Sequence, residues 1–279
     1  MTNNIENDFE CLSKGRLIVK NVFINPLVNY LLPRRLLLHL LKTKRSPLLE
    51  ESIRAPGGWR SMHLSYENNA PVSSVDKFVL RYGIFPMGLR NRKRMMTRIL
   101  KELIHDFSPK GHVHIIGVGA GPGTNVIEAM ARADKDNVTA YCLDLDDESF
   151  EHGEMLKKKH GLEPHQVIYI KGNAIELEKH VKVTPQIIKL IGILEYLSDK
   201  EVAELLRFAY SVLEHHGAVV THSICNRHGH ERFMKHLLNL KLHYRSVSQL
   251  VGMLEASGFS NFHVETEPLG IYSAMVGRK

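Results

Sequence analysis

The pattern of apolar and polar positions changes character near Ser108-Pro109. Before that point apolar residues recur at helical spacing. In "PMGLRNRKRMMTRILKELIHDF", Leu89, Met96, Ile99, Leu100 and Leu103 fall along one helical stripe. Residues 1–54 also read as helices, and 55–75, "APGGWRSMHLSYENNAPVSSV", read as a loop punctuated by Pro and Gly. After that point short β-branched runs alternate with helical stretches. The runs are "HVHIIGV" (112–118), "VTAYCLD" (138–144), "QVIYI" (166–170), "QIIKLIG" (186–192) and "GAVVTHS" (217–223). Two of the intervening helices open on capping boxes, Ser198 with Glu201 and Ser246 with Gln249. Strands alternating with helices make a parallel sheet covered on both faces. The tail departs from this: "NFHVETE" and "YSAMVGR" are separated only by a short turn, so the last strand should run antiparallel. The expected fold is α/β, a doubly wound sheet with an antiparallel C-terminal strand. Residues 1–110 form a helical extension and 111–279 the sheet domain.

Composition adds little to the fold but constrains the setting. The chain has 279 residues, 43% hydrophobic and 24% charged, which suits one large domain or a domain with a substantial extension. Cys11, Cys142 and Cys225 lie too far apart in sequence for a redox or metal motif, which suggests a reducing, cytoplasmic setting. The N-terminus is polar and acidic, unlike a signal peptide. The most apolar stretch, "NPLVNYLLPRRLLLHLLKTKR", is too short and too charged to span a bilayer, so no membrane insertion is expected. Charge is uneven: residues 1–110 carry 19 Lys+Arg against 9 Asp+Glu, and the rest carry 18 against 21. A basic front segment admits a nucleic acid, an acidic membrane surface or an anionic substrate as partner. The sequence has no zinc finger, no aromatic RNA-binding motif and no long basic tract.

Candidate chemistry centres on "HVHIIGVGAGPGTN" (112–125). Glycines between a strand and a helix of a doubly wound sheet allow a tight turn and close backbone approach to a ligand. A dinucleotide wants G-x-G-x-x-G, and this loop fails that spacing from either Gly117 or Gly119. There is no G-K-[ST] for a nucleoside triphosphate. Gly119-Ala120-Gly121-Pro122-Gly123 instead suits a nucleoside without phosphates.

Residues 112–279 resemble a class I S-adenosylmethionine (SAM)-dependent methyltransferase, with a Rossmann-like fold. "IIGVGAGPGT" is similar to that family's first motif, "YCLDLDDES" to its ribose-binding strand end, "IKGNAIEL" to its G-D-A stretch, and "LIGILEYLSDKE" to its fourth motif. "LHYRSVSQLVGMLEASGF" resembles the helix and turn before its closing hairpin. More loosely, "GGWRSMHLSYEN" and "RYGIFPMGLRNRKRM" resemble the front of a bacterial methyltransferase family whose biochemistry is thinly defined. The resemblance implies SAM as cofactor, held by Gly117, Gly119, Gly121, Asp144, Leu145, Asn173, Ala174 and Gly192. Asp144 would face the ribose hydroxyls, with Asp146 as second choice, and Asn173 and Ala174 would lie near the adenine. One departure stands out: the acidic residue that usually precedes the loop is Gly117 here. Loop carbonyls, Glu195 or N-terminal residues are candidates to hold the methionine end in its place.

The implied activity is O- or N-methylation of a small molecule. The tetrapeptide of exocyclic-amine methylation is absent, with "ILEY" in its place. Candidate catalytic residues are Tyr196, Glu195 and His222, the histidine as a general base. "HGH" (228–230) has no third ligand at helical spacing, so no metal is expected. Trp59, Tyr66, Arg81 and Tyr82 are candidate substrate contacts within a lid, with Phe85 and Arg90 as further wall and anion-binding residues. Two other readings stand beside this one. The first is attack on SAM's aminocarboxypropyl side, releasing methylthioadenosine; the second is an RNA methyltransferase or RNA-binding module. The acceptor and the oligomeric state are left open.

Overall fold

The computed structural model describes residues 9–43, 46–67, 73–133, 135–180 and 182–279. It forms two compact units: Met1–Arg94 with Cys225–Leu242 and Glu267–Tyr272, and Met95–Ile224 with His243–Thr266 and Ser273–Lys279.

The second unit carries the sheet. Its strands are β1 (Val113–Val118), β2 (Val138–Asp144), β3 (Val167–Lys171), β4 (Ile187–Leu190), β5 (Ala218–Ile224), β6 (Ser260–Thr266) and β7 (Tyr272–Arg278). They lie in the order β3-β2-β1-β4-β5-β7-β6. The first five pair in parallel, and β7 runs antiparallel to β6 while inserting beside β5. Every expected strand is present. The β-branched runs made them legible, because strands buried on both faces read as continuous apolar stretches. The core on one side joins Val118, Leu190 and Val219 of the sheet to Leu206 and Leu254 of the covering helices. Strand order reverses between β1 and β4, and in open sheets of this type the crevice at such a reversal takes the ligand.

Both capping boxes close as expected. The Ser198 N–H donates to Glu201 Oε2 at 2.7 Å, and the Ser246 N–H donates to Gln249 Oε1 at 2.8 Å. The return strokes, from the Glu201 and Gln249 N–H groups to the serine hydroxyls, measure 3.4 and 3.2 Å.

The first unit is helical, with one departure from the sequence reading. Trp59–Glu67 forms a helix where a loop was expected. Its most buried residues are Ser61 and Ser65, one turn apart, with hydroxyls that donate back to the Gly58 and Ser61 carbonyls at 2.8 and 2.9 Å. A helix that buries serines carries no apolar stripe, so periodicity did not reveal it. A salt bridge organises this unit. Arg90 donates to both Glu10 carboxylate oxygens at 2.7 and 2.6 Å and to the Ser65 and Leu80 carbonyls. The turn at 267–272 is tied by the buried Glu267 carboxylate, which accepts from the Leu269, Ile271 and Tyr272 N–H groups and from Asn91 Nδ2.

Candidate functional site

Four strand-end loops of the second unit converge at the reversal. After β1, Gly119, Gly121 and Gly123 take φ of +58°, +53° and +75°. These left-handed values favour glycine. A side chain at Gly119 would press on Ile193, and one at Gly123 would sit 3.0 Å from the Cys142 sulfur. The Cys142 thiol is buried, which pushes its pKa up to about 12 and makes it inert.

The loop after β1 is fastened to the end of β2. The Ala120 N–H donates to the Leu143 carbonyl at 3.1 Å. The Gly121 N–H donates to Asp144 Oδ2 at 2.6 Å, and the Asp146 N–H donates to Asp144 Oδ1 at 3.0 Å. Asp144 thus holds the loop after β1 with one lone pair of Oδ2 and its own following turn with one lone pair of Oδ1. A carboxylate has about four such sites, so two further hydroxyl donors can be accepted. Asp146 does a different job: its Oδ1 accepts from the Glu148 N–H at 3.1 Å, opening the next helix. The Asp144 carbonyl accepts from the Gly172 N–H at 2.9 Å, which brings Asn173 and Ala174 alongside. Asn173 Oδ1 accepts from the Ile175 N–H at 3.2 Å, while Ala174 is buried. Two large apolar side chains, Leu145 and Ile175, are exposed on these two loops, at 64% and 50%. After β4, Gly192 has φ +80° and open space where a side chain would be.

The position expected to be acidic proves informative. Cys142, Gly117 and Lys189 stand in one row across β2, β1 and β4. Lys189 is buried, and its Cδ lies 3.9 Å from where a Cβ on Gly117 would be. A cationic side chain therefore neighbours the place of the missing acid. Sequence reasoning passed over Lys189 as one polar letter in "QIIKLIG", although burying a lysine in a parallel sheet is costly enough to need a reason.

The candidate catalytic residues occupy different environments. Glu195 and His222 are buried together, with Glu195 Oε1 3.5 Å from His222 Nε2. Tyr196 is partly exposed, at 38%. The segment that carries Glu195 and Tyr196 is gripped by a residue sequence reading missed. Buried Arg245 donates to the Leu194 carbonyl at 2.6 Å, the Leu197 carbonyl at 2.7 Å and Asp199 Oδ1 at 2.9 and 2.7 Å. The only prior signal was its position just before a capping box.

The candidate substrate residues lie in the first unit. Arg60 stacks over Trp59 at 5.2 Å, and Arg81 lies 5.5 Å from the Tyr82 ring centroid. The Tyr66 hydroxyl accepts from Arg92 Nη2 at 3.2 Å. Phe85 lies 6.3 Å from Tyr272, and Arg90 is engaged by Glu10. His228 Nε2 is 2.9 Å from the Leu269 carbonyl, and the His230 side chain lies outside the described residues.

A family model described as "putative methyltransferase" matches residues 65–279. The chain belongs to this methyltransferase family. Its fold is shared with solved structures. A "possible exported protein" from Bordetella parapertussis aligns with a TM-score of 0.69 at 17% identity, covering 96% of this chain and 97% of that one. The magnesium protoporphyrin IX methyltransferase of Synechocystis PCC 6803, crystallised with bound SAH, gives a TM-score of 0.59 at 9% identity, covering 83% and 99%. An O-methyltransferase family protein from Burkholderia thailandensis gives 0.56 at 15% identity, covering 95% and 71%. At these identities the likeness is one of fold. None of the curated proteins matches the chain.

Proposed function

We propose that the chain transfers a methyl group from SAM to an oxygen or nitrogen of a small-molecule acceptor. The observation that carries this reading is the fastening of the loop after β1 to the Asp144 carboxylate beside the strand-order reversal, with the loop after β3 held on the Asp144 carbonyl and a first loop whose spacing excludes a dinucleotide.

The residues fit a nucleoside. Asp144 accepts from the ribose hydroxyls on its remaining lone pairs. Leu145, with Ala174 and Ile175, supplies apolar surface for the adenine, and Asn173 lies at its edge. Gly119, Gly121 and Gly192 let the backbone approach closely. When bound, SAM supplies an electrophilic methyl group on a sulfonium sulfur. The protein aligns the acceptor, excludes water and keeps the charge balance of the pocket. Tyr196, partly exposed, orients the acceptor and presents a ring face to positive charge. Glu195 and His222 are positioning residues in this reading, since burial keeps them from the acceptor. The three cysteines are free, which suits a reducing, cytoplasmic setting.

Lys189 gives this reading a specific consequence. With glycine in the acid's place, the cationic neighbour favours the carboxylate of the methionine end over its ammonium. The Lys189→Met variant tests this. SAM binding should weaken about tenfold or more, as a lost charge-assisted contact is typically worth roughly 1.5–3 kcal/mol. Tighter or unchanged binding would remove Lys189 from the site.

The activity itself is tested with SAM labelled in the methyl group, incubated with a panel of small phenols, carboxylic acids and amines. Label in an acceptor, with SAH formed in equal amount, supports the proposal. Methylthioadenosine formed from SAM alone would overturn it.

A further inference from the structure

The N-terminal helical arm is amphipathic the wrong way round. From Lys14 to Leu31 the backbone is helical, and Lys20–Ile24 and Leu27–Leu31 are wound wide, with i→i+5 bonds such as Asn25 N–H to the Lys20 carbonyl. This winding puts Lys20, Asn25 and Asn29 on the side facing the rest of the first unit. Lys20 Nζ donates to Asn25 Oδ1 at 2.9 Å and to the His228 carbonyl at 3.1 Å. Asn25 Nδ2 donates to the same carbonyl at 2.7 Å, and Asn29 Nδ2 donates to the Gly229 carbonyl at 3.2 Å. His228 and Gly229 both hold left-handed φ values near +70°, so these side chains grip a constrained turn. Burial lowers the Lys20 pKa to about 8.

The opposite side is apolar and exposed. Phe23 is 66% and Leu31 72% exposed, and Ile18, Val22 and Leu27 are also exposed. A surface helix in water buries its apolar side and shows its polar one. Here the polar side is buried, so the apolar side wants a cover. Large exposed apolar patches mark interaction sites.

Charge selects the cover. Residues 11–49 contain eight Lys or Arg and no Asp or Glu. Lys14 and Arg16 are exposed at one end of the apolar stretch, Arg34 and Arg35 at the other. A second copy of the chain would set like charge against like charge. An anionic bilayer surface accepts the apolar side chains among its acyl chains and the flanking cations at its headgroups. No helix among the described residues is long and apolar enough to cross a membrane, so the arm would lie in the interface. We propose that the Lys14–Leu31 arm is an interfacial membrane anchor, docking this chain on anionic lipid.

The test is co-sedimentation of the full chain with vesicles of phosphatidylglycerol and phosphatidylcholine in equal parts, against pure phosphatidylcholine. Binding should be at least about tenfold stronger to the anionic vesicles and should fall at high salt. The triple variant Phe23→Ser, Leu27→Ser and Leu31→Ser should keep its fold, since these side chains are exposed, and should lose binding by about tenfold or more. Wild-type protein that ignores anionic vesicles at low salt overturns the proposal, however the variant behaves. A dimer in analytical ultracentrifugation that the triple variant abolishes, without vesicle binding, would assign the face to a second copy instead.

Discussion

Asp144→Ala is expected to weaken SAM binding about tenfold to a hundredfold, as loss of a charge-assisted hydrogen bond worth roughly 1.5–3 kcal/mol requires. The same change removes the acceptor of the Gly121 N–H, so the first loop should also loosen, with a stability loss of about 1–2 kcal/mol. Asp144→Asn separates the two roles. Its amide oxygen can still accept from Gly121, but the charge and half of the acceptor capacity are gone. Its Nδ2 cannot accept from the Asp146 N–H, so it should recover part of the stability and little of the affinity. Asp146→Ala should disturb chiefly the helix start at Glu148, at about 1 kcal/mol, and leave SAM affinity nearly unchanged. Titration calorimetry and thermal melts on the three variants check this. Normal SAM binding by Asp144→Ala would remove the carboxylate from the site.

Arg245→Met should be the most destabilising of the substitutions considered, by about 3–5 kcal/mol. Its guanidinium satisfies the Leu194 and Leu197 carbonyls and Asp199 from a buried position. Methionine fills much of the volume and returns none of those donors, so buried carbonyls lose their partners. Arg245→Lys should recover only part of the loss, because one ammonium cannot reproduce a planar fork that reaches three acceptors. The segment it holds carries Glu195 and Tyr196, so surviving protein should show a fall in methyl-transfer rate larger than its fall in SAM affinity. Urea unfolding gives the first number and single-turnover kinetics the second. An Arg245→Met protein as stable as wild type would mean the segment is held without Arg245.

What sequence could and could not show follows from how each feature is encoded. The strands were legible because β-branched runs bounded by polar turns have few other uses, and the capping boxes because two fixed letters close two bonds. The first loop was legible because glycines at fixed offsets after a strand report backbone geometry directly. The helix at Trp59–Glu67 was hidden because it buries serines. Arg245, Lys189 and Glu267 were hidden because a single charged letter in sequence does not say whether it ends in water or in the core. The inverted arm was hidden for a related reason. "NPLVNYLLPRRLLLHLLKTKR" is visibly apolar, but which side faces the protein depends on Lys20, Asn25 and Asn29 meeting the His228–Gly229 carbonyls some two hundred residues away. The candidate site divides along the same line. Asp144 and Gly121 were each named from a motif, and a hydrogen bond joins them, whereas the Glu195–His222 pairing depends on how β4 and β5 end side by side.

The central claim is that the loop after β1 and the Asp144 carboxylate make a nucleoside site for SAM. The measurement that bears on it most directly is titration calorimetry of the purified full chain with SAM, SAH and NAD. The account predicts saturable binding of SAM and SAH at about one site per chain, with no heat from NAD beyond dilution. Binding of NAD without binding of SAM or SAH would contradict it.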